Sequence, residues 1–266
     1  MPLPATRTLV LIPGAIALNI VLGSTVQQVL KLPIYLDSLG TIVTGVLAGP
    51  IAGLVTGALT DLIWAYVLPS PLAAPTAGPF AITAAVIGVL AGLWGWLGVF
   101  RSRRSLDPTV LAAAAGAALA VVLVVLYTFT HAYTSPASVT LSEATFLVVV
   151  VAYAGLVAWA LFIRRDAGAV LALAAGLVTG IVAALVSSPI AAYVFGGVTG
   201  FGGDAIIAAY RYTGDTLYQA TLKQGLLSDP LDKMIEFLLA FTILAALPRR
   251  MVARFPNGER VLEPIG

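Results

Sequence analysis

Polar residues are sparse along this chain and apolar ones run in blocks, so block length is what predicts the elements. Five blocks, at roughly 9–30, 79–100, 108–130, 144–163 and 167–195, are long enough to cross a bilayer as helices, which takes about 20 residues. A sixth, at 230–247, is slightly short. The block from 39 to 68 carries Gly49-Pro50 at its middle. Proline there removes a helical hydrogen bond and clashes with the preceding turn, so this block is either one kinked helix or two short ones.

Inside that block glycine recurs every fourth residue, at Gly45, Gly49, Gly53 and Gly57, and Asp61 is the next member of the series. Residues four apart lie nearly above one another on a helix, so the series forms a strip without side chains that ends in a carboxylate. Small residues at this spacing let lipid-embedded helices pack closely. One reading is packing alone. The other is that the strip also positions Asp61 at a site, since a carboxylate in an apolar segment needs a partner or a water-filled cavity.

Composition agrees with the blocks. Of 266 residues 60% are hydrophobic and 10% charged, where a soluble domain has roughly 25% charged. Mean hydropathy is +1.02. We read the chain as an all-α, polytopic membrane bundle forming a single integral membrane domain, with the first helix retained rather than cleaved. The absence of cysteine excludes disulfides, thiolate metal sites and cysteine nucleophiles. Net charge is +2 and the longest basic run is Arg101-Ser102-Arg103-Arg104, which argues against nucleic-acid binding.

The basic residues choose between the two readings of 39–68. With Arg7 inside, two short crossings at 39–49 and 51–68 put Arg101, Arg164, Arg165, Arg249, Arg250 and Arg254 all inside, as the positive-inside rule requires. A single crossing would place most of them outside. We therefore expect two crossings and cytoplasmic termini. The uncharged loop 69–77, with three prolines, suits a stiff cover. The segment 196–229, rich in glycine and broken at Gly214, is expected to lie over or dip into the protein from the outer face. The last helix is expected to start at Ser228 or Asp229 with Pro230 in its first turn.

Several chemistries are excluded or improbable. No P-loop sequence occurs, the run Gly196 to Asp204 lacks the strand and acidic residue of a dinucleotide fold, and its order departs from that of intramembrane aspartyl proteases. A single histidine, His131, rules out histidine-based metal or triad sites. Depth is more telling. In this topology Gln27, Asp61, Trp64, Tyr193, Asp232, Lys233 and Glu236 fall in the outer halves of their helices, Asn19 lies near mid-membrane, and the inner halves are almost purely aliphatic. A cavity open to the outside would explain this. So would simple pairing of Asp229, Lys233 and Glu236 along one helix face.

Four stretches together resemble a known family: LPIYLDSLGTIVTGVLAGPIAGLVTGALTDLIW, GPFAITAAVIGVLAGL, SSPIAAYVFGGVTGFGGD and QGLLSDPLDKMIEFLLAFTILAALPRRMVARFP. They are similar to the substrate-binding S component of energy-coupling factor (ECF) transporters, over most of 7–101 and 168–256. The resemblance implies a six-helix core that captures a vitamin or similar micronutrient. It also implies association with a transmembrane coupling subunit and two ATPase subunits in a prokaryotic cell membrane, without catalysis, cofactor or metal of its own. It places the pocket in the loop after the first helix, at Tyr35 and Asp37, and in the outer parts of the later helices. There it points to Tyr193, Asp204, Tyr210 and Arg211, and further to Tyr218, Gln219, Lys223 and Glu236; Arg211 and Lys223 would suit an anionic group, and the tyrosines and Trp64 an aromatic ring.

Two departures stand out. Residues 105–166 look like an inserted helical hairpin, giving eight crossings. The alanines four apart that many members carry on the first helix are absent, since Ala15 is followed by Asn19 and Ala17 by Val21. A membrane sensor acting on a separate signalling partner is the rival reading; a secondary transporter would need a second broken helix, which the sequence lacks.

Overall fold

The computed structural model describes residues 6–30, 32–102 and 166–262. These form nine helices and no strand. The expected hairpin at 105–166, with the blocks 108–130 and 144–163 and His131, lies almost wholly outside the described residues.

Helix α1 spans Thr6–Gly23 and continues as a π-helical turn, Ser24–Val29. Helix α2 is Leu39–Ala48 and α3 is Pro50–Tyr66. A 3-10 turn, Pro75–Phe80, leads into α4, Ala81–Trp96. Then come α5, Ala167–Tyr193, α6, Asp204–Tyr212, and α7, Leu217–Ala246. Two short helices, α8 (Arg249–Val252) and α9 (Gly258–Val261), end the described chain.

The block 39–68 is two helices, and they fold back on one another. Gly49, between them, has φ 98°, a left-handed value that suits glycine, and Pro50 takes the first helical position, where its missing N–H costs nothing. The hairpin is closed on its sides by Asn19 of α1, whose amide donates to Thr41 Oγ1 (2.8 Å) and Thr60 Oγ1 (3.1 Å) and whose carbonyl accepts from Gly40 N (2.6 Å). At about 1.5 Å per residue, the 10-residue α2 covers roughly 15 Å, half of a bilayer's apolar thickness. The remaining depth beside it is taken by the non-helical segment 32–38, buried in protein, as irregular backbone at such a level must be.

The glycine strip packs as its spacing predicts. Gly45 and Gly53 lie against Gly88 of α4, and Gly57 lies against Ala84, all so close that a Cβ would meet backbone. A second close pair is α5 with α7, where Gly176 packs on the Lys233-Met234 backbone and Gly180 on Pro230.

One expectation fails in α7. The helix does not begin at Ser228 or Asp229; it begins eleven residues earlier, with Thr216 and Gln219 forming a reciprocal capping box, and runs through Pro230. A neighbouring helix packed on the proline tolerates the lost hydrogen bond, so Pro230 marks close packing rather than a start.

Three helical stretches, Thr6–Val29, Pro75–Trp96 and Gly168–Tyr193, are long and apolar enough to cross a membrane. Val10, Val21, Ile51 and Ile82 face outward at 60–73% exposure, an apolar skin that suits lipid. Exposed aromatics ring both ends: Tyr66, Tyr193 and Tyr212 at one, Trp96 under the Arg260 guanidinium at the other. The architecture is that of a helical membrane protein.

Candidate functional site

At the end of the bundle carrying Tyr66 and Tyr193, the loop 32–38, the start of α4, the segment 194–203 and the middle of α7 surround a hollow of about 790 Å³, counting its open mouth. The space inside it that water can fill is about 90 Å³, room for several waters and below the roughly 300–1,000 Å³ of sites that enclose a drug-sized ligand.

Its framework is a buried charge network centred on Lys233. The ammonium lies 2.7 Å from Asp232, 2.8 Å from Glu236 and 3.6 Å from Asp37, and donates to Ser38 Oγ at 3.0 Å. The carboxylates hold the loop in turn. Asp232 Oδ1 accepts from Tyr35 N (3.0 Å) and Leu36 N (2.9 Å), and Glu236 Oε1 accepts from Ser38 N (2.6 Å). Leu36 sits at φ 50°, a left-handed value a leucine keeps only when its surroundings fix it, and the Asp232 bond does so. Gln27, from the π turn, donates to Asp37 Oδ2 (2.9 Å) and Tyr35 O (3.1 Å). Asp37, Asp232 and Glu236 approach closely enough to suggest a metal cluster, but the lysine ammonium already fills their centre. The i, i+3 pairing of Lys233 with Glu236 was legible as simple helix pairing; the clamp on a loop nearly 200 positions away was not.

Three polar groups lining the hollow are differently placed. Asp61, 6% exposed, makes no hydrogen bond or ion pair with the described residues. Thr83, 7% exposed, has a hydroxyl without a partner. Asp229 accepts only from the Ser187 hydroxyl, at 3.2 Å. Buried polar groups are ordinarily satisfied, and three that share one hollow are the mark of a place where something binds. Around them stand Trp64, its indole N–H bonded to Leu72 O (3.0 Å), Phe201 with its ring centroid 6.4 Å from that of Trp64, and Phe80 stacked on Phe195. Tyr35 Oη accepts from Gln224 (3.0 Å).

The sequence-derived residues divide accordingly. Tyr35, Asp37, Asp61, Trp64 and Asp204 line the hollow, and Glu236 stands behind it. Asp204 is occupied as a loop lock, accepting from Thr199 N, Thr199 Oγ1 and Gly200 N. Asn19 is fully buried and saturated by the α2–α3 hairpin, so it braces rather than lines.

The rest lie elsewhere. Tyr193 is 75% exposed and stacks on Tyr218. Arg211 donates to Asp215 O, Lys223 pairs with Asp215 under the Tyr210 ring, and Gln219 is used in the α7 cap. With Tyr210 these make six, at the end of α5, in the last turn of α6 and in the first turns of α7, and none of them lines the hollow. Thr83 was missed because a single threonine in an apolar run carries no signal. Asp229 was visible only as part of the Lys233 spacing.

Compared with known proteins, the chain matches no family model, no curated protein and no solved structure.

Proposed function

We propose that this chain is the substrate-capture subunit of an ECF-type importer. It takes a small water-soluble micronutrient of the vitamin class into the hollow from outside the cell and passes it inward with a coupling subunit and two ATPases. The observation that carries the reading is the hollow itself: an open-mouthed, largely apolar site at one end of the bundle, lined also by Asp61, Asp229 and a Thr83 hydroxyl without a partner.

Orientation follows from charge. Arg101, Arg249, Arg250, Arg254 and Arg260 gather near the Gly49 turn, at the end away from the hollow, and the positive-inside rule then turns the hollow outward, with both termini cytoplasmic, in the plasma membrane of a prokaryote. Among the described residues, the one lysine that lines the hollow is held in ion pairs, which suits a binding role. Release inward then rests on ATP hydrolysed on other chains, coupled through the differing affinities of two conformations.

Native mass spectrometry of the purified protein, together with affinity purification from its native membrane, tests this. A retained small molecule and co-purifying ATPase subunits are expected. Recovery with a kinase or cyclase instead, or an empty hollow under every condition, would overturn it.

A further inference from the structure

The charges around the hollow do not balance, and the imbalance has a sign. Among the described residues Lys233 is the only cationic side chain that lines it, and Asp37, Asp232 and Glu236 already surround that ammonium. Asp204 is taken up by its own loop. Among the described residues Asp61 and Asp229 therefore face the hollow without an ion pair at contact distance, sharing only the more distant pull of Lys233, and Asp229 adds a single hydroxyl. The two cations expected to receive an anionic group, Arg211 and Lys223, are turned away toward Asp215.

A buried carboxylate without a counter-charge is tolerated where a ligand supplies one. Beside the two carboxylates stand the faces of Trp64, Phe201 and Phe80, surfaces that attract cations and planar rings alike. Thr83 and Tyr35 add neutral hydroxyls.

Building on the capture reading above, we infer that the ligand is a small aromatic or heteroaromatic molecule bearing a cationic nitrogen, with that nitrogen turned to the Asp61 and Asp229 carboxyls that line the hollow.

The test uses the full chain in lipid nanodiscs. Its unfolding midpoint is measured with benzyltrimethylammonium, benzyl alcohol and benzoate at equal millimolar concentration, alongside native mass spectrometry of the protein as purified. Benzyltrimethylammonium is expected to raise the midpoint by roughly 3 °C. The neutral and anionic analogues should leave it unchanged, and Asp61→Asn should abolish the shift while still unfolding cooperatively. If D61N does not fold, Asp229→Asn carries the same comparison.

Equal stabilisation by benzoate or benzyl alcohol, a shift that survives D61N, or a retained molecule that is neutral or anionic overturns the assignment of charge and leaves small-molecule capture standing. No response to any probe together with no retained molecule overturns both.

Discussion

Replacing Gly53 by alanine adds one methyl group at the tightest crossing in the bundle. A Cβ on Gly53 would overlap the Gly88 carbonyl, and one on Gly88 would overlap that of Gly53. What the methyl strikes is backbone, so no rotamer change relieves it and α3 and α4 must separate. Overpacking of this kind costs typically 1–3 kcal/mol, here toward about 3 because neither side can yield. Alanine returns roughly 0.5–1 kcal/mol of helix preference, leaving a net loss of about 2 kcal/mol. For a chain of this length that lowers the unfolding midpoint by roughly 5 °C.

Gly14 supplies the control, since a Cβ there meets nothing within 4 Å. G14A should raise stability by up to about 1 kcal/mol through helix preference alone. Scanning fluorimetry in nanodiscs reads both variants. If G53A melts at or above the parent temperature while G14A behaves as expected, the close crossing is not what holds these helices together.

Lys233→Met leaves Asp37, Asp232 and Glu236 buried without their cation, and breaking one partner from such a cluster costs about 3–5 kcal/mol; a loss under about 1 kcal/mol in equilibrium unfolding would refute the clamp. Asn19→Leu strands the buried Gly40 N–H and should cost about 1–3 kcal/mol, with hydrogen exchange rising at the start of α2 and nowhere in α7. Arg211→Gln and Lys223→Gln should leave retention of the bound molecule unchanged in native mass spectra, because both side chains are engaged with Asp215; loss of the molecule from either would move the site toward α6. Asp61→Asn, the neutral isostere of an unpaired buried carboxylate, should raise the melting point of ligand-free protein.

The helices and their closest crossing were legible because block length and glycine spacing are local signals. The break at Gly49-Pro50 was equally legible, since proline's effect on a helix depends on one position. Pro230 shows the limit of that logic: the same residue that starts α3 at Pro50 lies within α7, and the difference is made by Gly180 of a helix some 50 residues away. Tyr193, Tyr218, Gln219 and Lys223 entered the expected site through the family resemblance, which gives a region and not the direction of a side chain. Asp61, by contrast, was found from its place in the glycine series, because the spacing that brings α4 close also fixes which face the carboxylate shares.

The clamp between Lys233 and the loop at Ser38 joins positions 195 apart in the chain. During synthesis the loop at 32–38 therefore waits, with the Ser38 and Leu36 amides unanswered and Asp37 held by Gln27 and the Ser38 hydroxyl alone, until the last long helix emerges from the ribosome. A nascent chain stopped anywhere before Lys233 lacks the group that closes its first loop, and quality-control proteases meet it in that state. Assembly of the fold is thus completed from its carboxyl end backward.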